Sequence, residues 1–363
     1  MSQHRFWIVM AAFLCEVAGL ASPGPASRSL LSGQGERIFA LPELEAPRQI
    51  VVEKGKAFIS DKREIVVYDL ATGALTARIG KIGQGPGEFR FMPGRMAASP
   101  DRLVVADFPN LIFFSLDGTY QGQVVLPRLL SPYPFLPVGE NFIGFPMGSK
   151  EDGSPTAPTG RIYGSDLKTI RDFYGDLPAG PPPPPPPGSP EPTAKSEALL
   201  VRDYGEIAVY ENRIYIADSR KGFSISVFDE NGGFLREIRH PVEKVKVPRS
   251  FVDGIIKEWK SSKYWETIYS HKIPVVPEYL PALISFKVDG GRIYAVTPNQ
   301  KNGLYEIVVM DLEGTILKKE FRFPLTPNYE AAFLNGLRYD IEGNKVIWFA
   351  YNDDKEIYEL HIH

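Results

Sequence analysis

A single cysteine, Cys15, occurs in 363 residues. It falls inside a leading apolar run, so disulfides cannot staple the body of the chain, and the fold must rest on its core. Histidine is scarce as well, at five residues. His240 and His271 fall in connections, and His361 and His363 end the chain. No two of these histidines have metal-site spacing. No nucleophile elbow accompanies them, so a Ser-His-Asp arrangement would have to be assembled from loops. An excess of one charge is also missing: 41 Lys and Arg face 44 Asp and Glu, a net charge of -3. That balance provides no basic field for nucleic acid or an anionic membrane. The apolar run Phe6–Cys15 is too short to span a bilayer before Glu16 breaks it.

That run reads as an export signal. Arg5 and the amino terminus form the positive region and Phe6–Cys15 the apolar one. Gly19-Leu20-Ala21 puts small residues at the cleavage positions, so residues 1–21 are expected to be removed. Leu14 precedes Cys15 where a lipobox needs Gly, Ala or Ser, which disfavours a lipoprotein. An uncleaved anchor is the alternative. The expected location is periplasmic or extracellular, with 22–35 a flexible leader.

The body of the chain repeats itself. Stretches 56–80, 102–126, 213–239 and 292–321 share one plan. A β-branched or aromatic run ends in Asp or Thr, a polar loop follows, a second run ends near Asp-x-x-Gly, and a third alternates. The turns Asp-Leu-Ala-Thr-Gly, Leu-Asp-Gly, Asp-Glu-Asn-Gly-Gly and Asp-Leu-Glu-Gly suit hairpins, since Gly supplies positive φ and Asp bonds its own backbone. Fainter copies lie at 134–177 and 337–363. Short leading strands precede the copies at 48–52, 94–99, 206–210, 283–288 and 337–341. Four strands per ~40 residues is a propeller blade. The spacing therefore predicts an all-β fold, a six-bladed β-propeller over 36–363. The last copy is one strand short, and 36–44 is expected to supply it, pairing the two ends of the chain.

The stretch 80-GKIGQGPGEF-89 invites a phosphate-loop reading. A Walker loop needs Gly-x4-Gly-Lys-Ser/Thr and a dinucleotide loop Gly-x-Gly-x-x-Gly opening a helix. Neither spacing is present, and Pro86 and Pro93 forbid a helix. The segment is expected instead to join two blades, pinned by Phe89 and Phe91. Gly83 to Phe89, then Pro93, 103-LVVADFPN-110 and Leu116-Asp117-Gly118, resemble an NHL repeat. Six-bladed NHL and TolB-like propellers of bacteria are similar in layout. The resemblance covers 80–126 and, without the glycine loop, 213–239. It implies a six-bladed propeller, a fold that hosts lyases, lactonases, receptors and scaffolds. In such relatives the Asp ending the second strand (Asp61, Asp107 and Asp218 here) caps the loop that follows.

Two insertions interrupt the plan. Residues 178–192 are proline-rich and should form an exposed polyproline II loop. Residues 249–271 read as the one inserted helix, with Ser250 and Asp253 a capping pair and Phe251, Val252, Ile255, Ile256 and Trp259 on one face. Both lie between an outer strand and the next inner strand, so both should emerge on one face of the ring with the 80–93 loop. That face is the expected binding surface.

Candidate ligand-binding residues are Arg95, Asp107, Arg202, Asp218, Lys287 and Arg338, on the channel or that face. Arginines and lysines flanking inner strands suit an anionic ligand. A calcium site would draw on Glu88, Asp107, Asn110 and Asp218, joined by Asn299 and Asp353. The expected function is a non-enzymatic module binding an unidentified protein or small ligand. The alternative is an NHL-type or lactonase-type hydrolase or lyase using channel carboxylates and calcium.

Overall fold

A computed structural model describes residues 36–91, 93, 95–107, 110–125, 135–146, 157–175, 177–178, 196–199, 204–261, 270, 272–323 and 338–363. The expected signal (1–21), the leader (22–35), residues 179–192 of the proline tract and Arg202 lie outside them.

The chain opens with β1 (Arg37–Leu41). Blade 1 contains β2 (Gln49–Glu53), β3 (Lys56–Ser60), β4 (Ile65–Asp69) and β5 (Leu75–Ile79). Blade 2 contains β6 (Met96–Ser99), β7 (Arg102–Asp107), β8 (Asn110–Phe114) and β9 (Tyr120–Val125). Blade 3 contains β10 (Leu136–Val138), β11 (Asn141–Gly144), β12 (Gly160–Tyr163) and β13 (Thr169–Tyr174). After β14 (Ser196–Leu199) comes blade 4, with β15 (Gly205–Tyr210), β16 (Arg213–Asp218), β17 (Ser224–Phe228) and β18 (Phe234–Arg239). Helix α1 (Arg249–Ser261) and β19 (Lys272–Val275) precede blade 5: β20 (Ser285–Asp289), β21 (Arg292–Lys301), β22 (Leu304–Asp311) and β23 (Ile316–Phe323). Blade 6 takes β24 (Tyr339–Glu342), β25 (Lys345–Asn352) and β26 (Ile357–Ile362) from the end of the chain and β1 from its start. The expected closure is present, with β1 antiparallel to β26 from Arg37↔Ile362 to Leu41↔Tyr358. Each inner strand (β2, β6, β10, β15, β20, β24) touches the inner strands on both sides, so the ring is closed.

Buried apolar residues fall into clusters between neighbouring blades. Phe58, Ile65 and Ile79 of blade 1 meet Leu103, Val105 and Ile112 of blade 2. Leu41 and Leu360 of blade 6 meet Ile50 and Ile59 of blade 1. A strand buried on both faces needs near-continuous β-branched and aromatic residues, as in Ile65–Asp69. Each fully buried large side chain contributes about 1.5–3 kcal/mol.

Two polar devices repeat around the ring. In the first, a side chain of one inner strand holds the backbone of the next. Gln49 accepts from Met96 N (2.7 Å), Glu206 from Phe286 N (2.7 Å) and Asp340 from Val52 N (2.7 Å). Near the other end of the strands, Asp289 accepts from Gly343 N (2.9 Å) and Glu342 from Gly55 N (2.8 Å). In the second, the turn glycines Gly73, Gly118, Gly232 and Gly314 are seats for the preceding blade's outer strand. A Cβ on Gly118 or Gly314 would meet Ile79 at 3.0 Å or Ile238 at 2.6 Å.

All neighbouring strands within a blade are antiparallel. The second-to-third-strand turn and the outer-to-next-inner connection therefore share one face, the connection-rich face. The 80–95 connection and the stretch holding α1 are both of this type, so they emerge together as the sequence predicts.

The expected helix is present over 249–261; residues 262–269 of its expected span lie outside the described set, and Ser270 is in a turn. Asp253 pairs with Arg249 one turn back (3.2 Å) rather than serving a cap with Ser250. Pro248 starts the helix, its carbonyl accepting from Phe251 N (3.1 Å). Phe251 is buried in the core between blades 5 and 6, with Val252 and Ile256 packed against it.

Candidate functional site

Among the described residues, Asp61 and Asp107 cap backbone that precedes them in the chain. Asp61 accepts from Glu45 N (2.9 Å) and Ala46 N (2.6 Å), and Asp107 from Arg90 N (2.8 Å) and Phe91 N (3.1 Å). The capped amides belong to the connection entering the same blade, which shares the face on which the second strand ends. Asp218 caps its own following turn, accepting from Arg220 N (3.1 Å) while paired with the Arg220 guanidinium (2.6 Å). In blade 4 Ser219 also holds the entering connection, its Oγ accepting from Tyr204 N at 2.9 Å. Burial raises the pKa of Asp107, opposed by the two amide bonds.

The other oxygens considered for calcium are similarly engaged. Glu88 turns back on its own loop, accepting from Gly85 N (2.8 Å) and pairing with Lys81 (3.1 Å). Asn110 is buried opposite Asp107 at the hairpin, and Asp353 lies in an exposed turn. Asn299 donates to Glu306 at 2.9 Å. Among the described residues no group of three His, Cys, Asp or Glu converges as a metal ion requires. Glu88, Asp107 and Asp218 already turn carboxylate oxygens to N–H groups or cations, which leaves them poorly disposed to a calcium ion.

The charged side chains near the axis form a different set. Strand register places Gln49, Arg95, Glu206, Ser285 and Arg338 at equivalent positions of five blades, each paired with the residue that precedes the end-of-strand Asp or its counterpart. They stand where the inner strands begin, at the connection-rich face. Lys287 and Asp340 lie two residues deeper, about 7 Å along the strand. Arg95 is enclosed, and desolvation pushes its guanidinium down to about 10. Arg338 is lowered by burial and then by the nearby Arg48 charge, and it lies 5.8 Å from the Phe349 ring centroid.

Across blades 4, 5 and 6 a hydrogen-bonded chain crosses the ring. Ser285 donates its hydroxyl to Glu206 Oε1 (2.9 Å), so the Tyr339 hydroxyl, 3.0 Å away, donates to Ser285. Lys287 Nζ lies 3.9 Å from Glu206 Oε1 and 5.5 Å from the Tyr339 ring centroid. Burial raises Glu206 and Asp340, and the Lys287 charge pulls both back. Tyr204 and Tyr339 are raised well above ordinary tyrosine, first by desolvation and then by Glu206. Of the residues named from sequence, Lys287 therefore sits between two acids, whereas Arg338 stands with Arg48. Sequence reasoning missed Gln49, Glu206, Asp340 and Arg48. Their sole signal was polarity on otherwise apolar inner strands.

The connections that carry the two insertions are joined just after them. Strands β14 and β19 pair in parallel from Ser196↔Lys272 to Leu199↔Val275, joining the connection after blade 3 to the one after blade 4. Among the described residues no helix is long and apolar enough to cross a membrane.

A family model described as a 6-bladed beta-propeller matches residues 42–155. Comparison with curated proteins finds no match. Among solved structures the chain is similar to a luciferin-regenerating enzyme, at 10% identity, covering 90% of this chain and 95% of that one, with a TM-score of 0.43. It is also similar to the Pan2 WD40 domain of Neurospora crassa, at 8% identity, covering 87% and 74%, with a TM-score of 0.39.

Proposed function

We propose that this chain is an exported, non-enzymatic propeller of NHL or TolB-like type that binds a protein or small ligand through its connection-rich face. The observation that carries this reading is the parallel pairing of β14 with β19. Closing the ring does not require it. It ties the connections after blades 3 and 4 together on one face, and α1, in the second of these, is anchored by Phe251 in the core between blades 5 and 6. Elaboration confined to one end of a rigid scaffold is how binding surfaces are commonly built. On this reading Arg95, Arg202 and Arg338 offer guanidinium groups to an anionic part of the ligand, with Lys287 held back by Glu206 and Asp340. Asp107 and Asp218 stiffen the surrounding turns.

A photo-crosslinking residue at exposed Lys257 on α1 tests the reading, with one at exposed Lys345 on the far end of blade 6 as control. Adducts in producing cells are expected from position 257 and not from 345. Adducts from 345 alone, or equal adducts from both, would sink it. The export component predicts a mature protein beginning at Ser22.

A further inference from the structure

Blade 5 departs from the repeat. Its second strand, β21, spans Arg292–Lys301, where the same strand of blades 2 and 4 has six residues. The ladder to β22 jumps from Val296↔Ile307 to Gln300↔Tyr305, so Thr297, Pro298 and Asn299 stand opposite Glu306 alone. Pro298 suits this bulge, having no N–H to give the ladder. Bulges of this kind re-aim side chains and open space beside a sheet.

The space opened is a groove of about 240 Å³ between blades 4 and 5. Glu306 Oε2 accepts from both Thr297 Oγ1 (2.7 Å) and Asn299 Nδ2 (2.9 Å), which fixes the carboxylate. Its wall includes Phe223, Val308 and the imidazole of His240, whose ring stands edge-on to Phe223 at 5.5 Å. His240 Nε2 lies 2.8 Å from Gly314 O, so that nitrogen carries the proton and donates. The charged lining is Glu243 and Glu306 against Lys319. A fixed carboxylate in a mostly polar groove, with the Phe223 ring and the Val308 and Ile316 side chains along it, suits an organic ammonium group.

We propose that this groove is a binding site for a small primary amine with an apolar tail, whose ammonium group meets Glu306. The groove lies between the second-to-third-strand turn of blade 5 and the connection after blade 4, both on the connection-rich face, but it is read by amide shifts at its own residues and not by crosslinking from Lys257, so either reading can fail alone. Phenethylammonium chloride is the probe, titrated against the full chain and followed by amide NMR at Thr297, Asn299 and Glu306. Saturable shifts at these amides are expected. Glu306→Gln keeps an oxygen for Thr297 and Asn299 but removes the charge, and should weaken binding at least tenfold. Neutral 2-phenylethanol should not saturate. Ile316→Trp, at a partly exposed rim position, should block the groove while leaving the fold intact, a check that does not depend on how Glu306→Gln folds. Absence of saturable shifts in the native chain, equal affinity in Glu306→Gln, equal binding of the alcohol, or full binding in a folded Ile316→Trp would each overturn the proposal.

Discussion

The ring of Phe39 lies directly on Gly73, so that a Cβ there would sit 2.2 Å from Phe39 Cδ1. Phe39 belongs to the strand the amino terminus adds to blade 6, and Gly73 to the Asp69–Gly73 turn of blade 1. One contact thus joins the closure of the ring to the turn motif that marks its repeats.

Gly73→Ala is expected to fail on two counts. Its φ of +72° carries left-handed strain of about 1–2 kcal/mol for alanine. Overpacking against Phe39 adds about 1–3 kcal/mol. In a Phe39→Ala background only the strain should remain. Urea unfolding of the four proteins in that cycle measures the difference, and additive losses would show that Phe39 does not press on Gly73.

The blades were legible because each carries its own period-two pattern and its own turn glycine. Closure was legible because blade 6 runs out of chain after β26 and an unmatched strand precedes blade 1. What lies between blades was not. Gln49, Glu206 and Asp340 bond to the next inner strand, and periodicity within one strand does not reveal its neighbour's amides. Asp107 ends the second strand of its blade as expected, but its partners, Arg90 and Phe91, precede it in the chain. The pairing of β14 with β19 links segments far apart in sequence that show little alternation.

The glycine-rich connection is architectural, and Phe89 is its anchor. Phe89 is fully buried, packs edge-to-face on Phe114 at 6.0 Å, and covers Gly80, where a Cβ would lie 2.3 Å from the ring. Phe89→Ala should cost about 3–5 kcal/mol. Differential scanning calorimetry checks it, and a loss below ~1 kcal/mol would mean that the loop is not pinned there.

Calcium should leave the melting temperature unchanged. A native-state site would stabilise by RT ln(1+[L]/Kd), yet Glu88, Asp107 and Asp218 already face amides or cations. Melting curves in millimolar calcium chloride and in chelator should superimpose. Asp107→Ala should destabilise by about 1–3 kcal/mol in both, by stranding the Arg90 and Phe91 amides. A calcium-dependent rise that Asp107→Ala abolishes would restore the metal reading.

Glu206 gives a pH dependence of definite sign. Its pKa is raised in the folded chain, first by desolvation, with Lys287 opposing. Between the unfolded and folded pKa values the native state binds more protons, so stability falls as pH rises through that window. Below the unfolded value the carboxyl is protonated in both states and the effect vanishes. Glu206→Gln keeps an acceptor for Phe286 N and faces Ser285 Oγ with an amide N–H, reversing that bond, but cannot ionise. The native chain should therefore lose stability relative to Glu206→Gln as pH climbs from about 4 toward neutrality, and the two should run parallel at lower pH. Urea midpoints at each pH measure the gap. A gap that stays constant, or that closes with rising pH, would mean that Lys287 and the Phe286 amide stabilise the Glu206 charge more than enclosure between blades 4 and 5 opposes it.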